Sequence, residues 1–182
     1  MLFLRRFLKD EQLDTAAAAL YGAIATQARQ PSFYLAYEVP DNVDGRFEMV
    51  ALHAYLVFRR LKGQSAAIDR LMQATYDVMF REMDLALREL GAADLGVGKR
   101  IKHMAESLNG RIQSYDKGVA AEDDRLTLIA ALRRNLYGTV EPGAATVDRM
   151  ARYLEATIGA FDGQRTEDIA GGLLTFPDPD LI

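Results

Sequence analysis

The chain has 182 residues, of which 49% are hydrophobic, and a formal charge of −4 at pH 7; this suits one domain with a buried core and excludes general attraction to nucleic acid or anionic lipid. It has no cysteine, which removes disulfides, thiolate metal sites and thiol nucleophiles together and fits a reducing compartment.

Near the N-terminus, Leu2, Phe3, Leu4, Phe7 and Leu8 alternate with Arg5, Arg6 and Lys9. The pattern suits a weak interfacial anchor or simple packing of the terminus. It is too short for a secretory signal and lacks a small-residue cleavage site. No later stretch reaches the roughly 20 apolar residues of a bilayer span, so the chain is expected to be soluble, at most peripheral to a membrane.

Leu13, Ala17, Leu20, Ile24 and Ala28 predict a first helix from about Glu11 to Arg29, stopped before Pro31. An aromatic-rich extended loop follows, with Phe33, Tyr34 and Tyr37 between two prolines, turning through Asp41, Asp44 and Gly45. The second helix, Phe47 to Leu61, is apolar on all sides apart from Glu48 and His53, which places it in the middle of the domain. Large aromatics beside the least polar helix must fold either onto that helix or onto a partner. Both readings are physical.

A third helix carries one stripe from Ile68 through Leu71, Met72, Tyr76, Met79, Phe80, Met83 and Leu87 to Leu90, and Gly91 is its expected stop. Asp69, Arg70, Gln73, Asp77, Arg81 and Arg88 form its opposite face. The fourth reads Val97, Ile101, Met104, Leu108, Ile112 and Tyr115, with Asp94 as expected N-cap. Gly110 inside it costs roughly 1 kcal/mol against alanine, which points to close backbone approach or to a partner lying flat there. A fifth helix (about 123–137) and a sixth (about 146–161) follow, then one possible turn after Thr166. Pro177 and Pro179 make residues 173–182 an irregular tail. With no repeat and no strand pattern, the whole chain, 1–182, reads as a single all-α domain of about six helices.

Enzymatic constellations fail. Neither His53 nor His103 has a glutamate three residues before it, and there is no His-Glu-x-x-His, P-loop or dinucleotide turn. His53 reads as a neutral core histidine and His103 as a solvated one. Met72, Met79 and Met83 fill a core or line an adaptable groove. Lys99, Arg100, Lys102 and Arg111 make the fourth helix locally basic, so contact with phosphate or an acidic protein stays open. Asp84 and Arg88 form an i,i+4 pair.

With these segments laid out, residues 20–115 resemble the ubiquinol–cytochrome c chaperone family. The likeness lies in Leu20-Tyr21, Gln27-Ala28-Arg29, Pro31, Phe33-Tyr34, Val39-Pro40-Asp41, Gly45-Arg46-Phe47-Glu48 and Leu52-His53. It continues through Met83-Asp84, Leu87-Arg88-Glu89, Gly91, Asp94-Leu95, Val97, Lys99, Gly110-Arg111 and Tyr115. Residues 116–165 look like the family's more variable end. The resemblance implies a non-enzymatic, all-α chaperone, without cofactor or metal, that binds newly made cytochrome b during assembly of ubiquinol–cytochrome c reductase. A small helper protein and the ribosome are further partners it implies. The absence of a targeting sequence points to a bacterial-type member, cytoplasmic or peripheral at the cytoplasmic face of the inner membrane, with no direct DNA binding.

The client surface is expected between the Phe33–Tyr37 loop and helices two to four, with Arg46, Arg88, Lys99 and Arg111 as a charged rim. Its candidate residues are Phe33, Tyr34, Tyr37, Asp41, Arg46, His53, Asp84, Arg88, Glu89, Lys99, Arg111 and Tyr115. Two other classes compete: a ribosome- or nucleic-acid-binding module using the basic fourth helix, and a small enzyme of quinone or haem metabolism.

Overall fold

In the computed structural model, residues 2–89 and 94–182 are described, with side chains for 11–89 and 96–182. The expected stop at Gly91 after Leu90, the capping side chain of Asp94 and the side chains of the N-terminal anchor therefore lie outside the described residues. Among the described residues the chain runs α1 (Leu2–Ala28), α2 (Pro31–Leu35), α3 (Val43–Leu61), α4 (Ala66–Glu89), α5 (Asp94–Ala120), α6 (Leu126–Asn135), α7 (Ala144–Asp162) and α8 (Thr166–Ala170), closing with a 3-10 turn over Pro179–Leu181. The all-α class holds, and each of the six expected helices has its counterpart.

Two local readings change. The aromatic segment is not extended from its start, because Pro31 opens the short α2. Proline suits a first helical turn, where its missing N–H has no partner to lose, and the Ser32 carbonyl then accepts from the amides of Ala36 and Tyr37. Asp44 and Gly45 are likewise helical rather than a turn. Asn42 caps α3, its Oδ1 accepting the Gly45 N–H at 2.9 Å, so the helix starts at Val43 instead of Phe47. Gly45 is required there, since a Cβ would lie 1.9 Å from the Pro40 carbonyl oxygen.

The chain divides into two compact units. Unit 1 takes Met1–Ala23, Leu61–Ser107 and Arg165–Leu174, and unit 2 takes Ile24–Arg60, Leu108–Gln164 and Thr175–Ile182. In unit 1 the stripe expected on α4 is buried at Leu71, Met79, Phe80 and Leu87, joined by Thr75 and Val78, with Ile68, Met72, Tyr76 and Met83 part-exposed, while Asp69, Arg70, Gln73, Asp77, Arg81 and Arg88 are exposed as expected. His103 on α5 is exposed as expected. In unit 2, every residue of α3 from Phe47 to Val57 is buried, His53 and Glu48 included, so α3 is the central rod around which the rest is laid. Arg60 at its end donates to the carbonyls of Phe161 (2.9 Å) and Gln164 (2.8 Å), tying the end of α3 to the end of α7 and the turn after it.

Gly110 departs from expectation, because no atom lies within 4 Å of a Cβ built on it. Close approach is not its reason. Gly45→Ala should destabilise the protein by about 1–3 kcal/mol in urea unfolding, as overpacking against rigid backbone does. Gly110→Ala should stabilise it by about 0.5–1 kcal/mol by removing a flexible residue from a helix interior.

Candidate functional site

Unit 2 is built on a cluster of rings. Phe33, fully buried on α2, stands 5.4 Å from Tyr37, 5.2 Å from His53 and 5.0 Å from Tyr153, measured between ring centroids. The contacts to His53 and Tyr153 are edge-on, the arrangement aromatic quadrupoles favour. Phe176 from the tail closes the group, 5.3 Å from His53 and 5.1 Å from Phe161. The aromatic segment thus folds onto α3, which settles one of the two readings the sequence left open.

A directional chain of hydrogen bonds crosses the cluster. The Met49 carbonyl can only accept, so His53 Nδ1 carries the proton and donates to it at 2.8 Å. His53 Nε2 then accepts from the Tyr153 hydroxyl at 2.9 Å, and that oxygen accepts from Gln27 Nε2 at 3.0 Å. Burial pulls the imidazole pKa down to about 4 against the partial support of the Met49 carbonyl. Both ring nitrogens are engaged, which leaves none for a metal or haem. Among the described residues no three His, Asp or Glu side chains converge as a metal site would need. The Tyr37 hydroxyl donates to the Pro179 carbonyl at 2.7 Å, while the Tyr37 carbonyl accepts from Tyr137 at 2.8 Å. Arg149 lies over the Tyr37 ring, 4.4 Å from its centroid.

A second group surrounds Arg111. Its guanidinium grips buried Glu48 with two hydrogen bonds, one of 2.6 Å from Nε, and lies 5.3 Å from the centre of the Phe47 ring. Burial raises the Glu48 carboxyl above its ordinary range even though Arg111 pulls it back. Tyr115 is fully buried, its ring 5.4 Å from that of Tyr55, and Tyr55 shares Asp116 with Arg59. Arg111 is therefore a core counterion and not an open rim charge, the reverse of its expected place. The surface pair is Asp41 with Arg46, at 2.6 Å. Tyr34 beside them is half-buried and donates to the Ala28 carbonyl at 2.8 Å.

The remaining candidates fall in unit 1. Arg88 grips Asp84 at 2.6 Å as the expected i,i+4 pair, and Glu89 and Lys99 are exposed. Of the twelve candidates, only Phe33, Tyr37 and His53 share a single ring cluster.

The sequence model described as Ubiquinol-cytochrome C chaperone matches residues 35–176, more than half of the chain. The chain belongs to the ubiquinol–cytochrome c chaperone family. Ubiquinol-cytochrome-c reductase complex assembly factor 1 of Xenopus laevis is 22% identical over 158 residues, 87% of this chain and 78% of that protein. The mouse protein of the same name is 20% identical over 87% of this chain and 53% of its own length, so the chain spans about half of that relative. The crystal structure of the Cbp3 homolog from Brucella abortus superposes with a TM-score of 0.83 at 32% identity, covering 99% of both chains. The family is named for chaperone action rather than for a reaction.

Sequence reasoning missed Tyr153, Arg149 and Phe176 as parts of the ring cluster. Helical spacing marks Tyr153 only as a residue of α7, and proline content marks Phe176 only as part of a tail. Their partners in the first half of the chain lie 100 or more residues away, as His53 does from Tyr153.

On acidification the unfolded chain takes up the His53 proton first, since its ordinary pKa of 6.5 exceeds the folded value of about 4. The His53 contribution is complete above pH 6.5 and is lost as pH falls toward 4, about 3 kcal/mol in all. Urea unfolding across this window should show the loss, and His53→Gln should flatten the slope between pH 6.5 and 5. Arg111→Met should cost about 3–5 kcal/mol by leaving Glu48 buried without its counterion. Adding Glu48→Leu should restore most of that loss in the same assay.

Proposed function

We propose that this protein is a non-enzymatic assembly chaperone that holds newly made cytochrome b while ubiquinol–cytochrome c reductase is built. The match of the chaperone family model to residues 35–176, with the likeness to the Xenopus complex assembly factor, carries the assembly role. The physical fit supports it. A nascent membrane protein exposes apolar helices, and unit 2 offers exposed Leu35, Leu126 and Val140 on a fold whose own core is already filled. No helix among the described residues is long and apolar enough to cross a membrane, so in this reading the chaperone meets its client from outside the bilayer.

The candidate residues then divide by role. In unit 2, Tyr34, Asp41 and Arg46 reach the surface and touch the client, while in unit 1 Glu89 and Lys99 are exposed. Phe33, Tyr37, His53 and Tyr115 are buried and hold the shape beneath it. Asp84, Arg88 and Arg111 act through their ion pairs.

A second reading rests on the exposed Lys99, Arg100, Lys102 and His103 of α5, which suit a ribosomal or other nucleic-acid surface. Charge reversal at Lys99 and Lys102 would abolish that contact, and salt would weaken it steeply.

Photo-crosslinkers placed at Tyr34 and Leu35, followed by identification of the captured protein, should yield cytochrome b. Tyr34→Ala should lower the yield several-fold with the helical signal unchanged. Capture of ribosomal components alone would favour the second reading, and no capture by an intact fold would sink the first.

A further inference from the structure

The last eight residues are held in the way a peptide is held. Gln164 clamps Thr175 from both sides, its Nε2 donating to the Thr175 carbonyl at 2.8 Å and its Oε1 accepting the Thr175 N–H at 2.9 Å. Gln27 Nε2 donates to the Pro177 carbonyl at 3.4 Å. The Pro179 carbonyl accepts from the Tyr37 hydroxyl at 2.7 Å and from Arg149 Nη2 at 3.0 Å. All five bonds go to main-chain atoms of the tail. The carbonyls used belong to residues 175, 177 and 179, every second position along an irregular segment that enters its closing 3-10 turn at Pro179; over 175–178 this is the spacing at which an extended chain turns the same edge to one side.

The side chain that enters the cluster is Phe176, set against His53 and Phe161. Pro177 and Pro179 carry no N–H, so a groove that reads carbonyls leaves no tail donor unmatched at these positions. What the groove selects is an extended backbone with one aromatic anchor, the way edge-reading sites take peptides of many sequences. Two observations mark the tail as an imperfect occupant. Arg149 Nε is buried with no acceptor while the tail sits there, a donor left unmatched. Leu35 and Leu181 are more than four-fifths exposed where the closing turn meets α2, so apolar surface continues past the tail uncovered.

We propose that this groove docks an extended segment of another polypeptide, anchored by one aromatic side chain and read through alternate carbonyls, and that residues 175–182 occupy it in cis as a displaceable stand-in. The tether gives the tail an effective concentration on the order of millimolar, so an incoming segment binds when it also satisfies Arg149 or covers Leu35. Cytochrome b need not be that segment, and the test uses none of it, so a failure here leaves the client assignment untouched.

A labelled peptide of residues 174–182, LTFPDPDLI, is titrated against full-length protein and followed by fluorescence anisotropy. Phe176→Ala weakens the tethered competitor and leaves the groove intact, so it should bind the peptide at least tenfold more tightly than the unaltered chain. Adding Arg149→Leu or Gln27→Ala should reverse that gain by tenfold or more. Equal affinity with and without Phe176→Ala, or a gain insensitive to Arg149 and Gln27, overturns the proposal, as does a concentration-dependent dimer in place of peptide binding. If Phe176→Ala fails to fold, hydrogen exchange of the unaltered protein decides. Millimolar unlabelled peptide should speed exchange at the amide of Thr175, which Gln164 holds, and an unchanged rate overturns it.

Discussion

One hydrogen bond, from the Tyr153 hydroxyl to the buried imidazole of His53, fixes how α7 meets α3. A helix that is apolar on every side can be packed in many rotations, because oil against oil is nearly indifferent to register. A buried polar atom is not indifferent, since leaving it unpaired costs more than a misplaced methyl group. His53 therefore selects one rotation of α3 and one register of α7. Gln27 continues the same chain of donors toward Pro177, so the tail is placed by the same constraint. Phe33 and Tyr37 then fill the space between the partners this bond has set.

Glu48 and Arg111 act similarly on the other side of α3. Their pairing adds little net stability over apolar packing, because both charges are taken largely out of water. What it supplies is a unique match between α3 and the second half of α5. Burial raises the Glu48 carboxyl even with Arg111 beside it, while, against burial, the carboxylate holds the Arg111 guanidinium more firmly charged.

These two fixtures lie in the interior of unit 2, so in the proposed role a guest would meet only its exterior, where Leu35, Leu126 and Val140 are exposed. Chaperone action needs surface that is apolar yet not so extensive that copies stick to one another.

The sequence by itself determined the all-helical class, the six long helices, the central place of α3 and the neutral, buried state of His53. Each follows from periodicity and polarity within about twenty neighbouring residues, where spacing maps directly onto a helix face. It also identified the family, because ordered short motifs survive in the linear chain. What it could not decide was every pairing across long separations. Whether Phe33 and Tyr37 met α3 or a guest, whether Arg111 was a rim charge or a core counterion, and whether Phe176 belonged to a loose tail all depended on which partner stood opposite. The start of α3 was misplaced for a smaller reason, since one asparagine cap outweighed the turn propensity of Asp44 and Gly45. Only tertiary structure chooses among partners, because a side chain carries its own chemistry along the chain but not the identity of its neighbour in space.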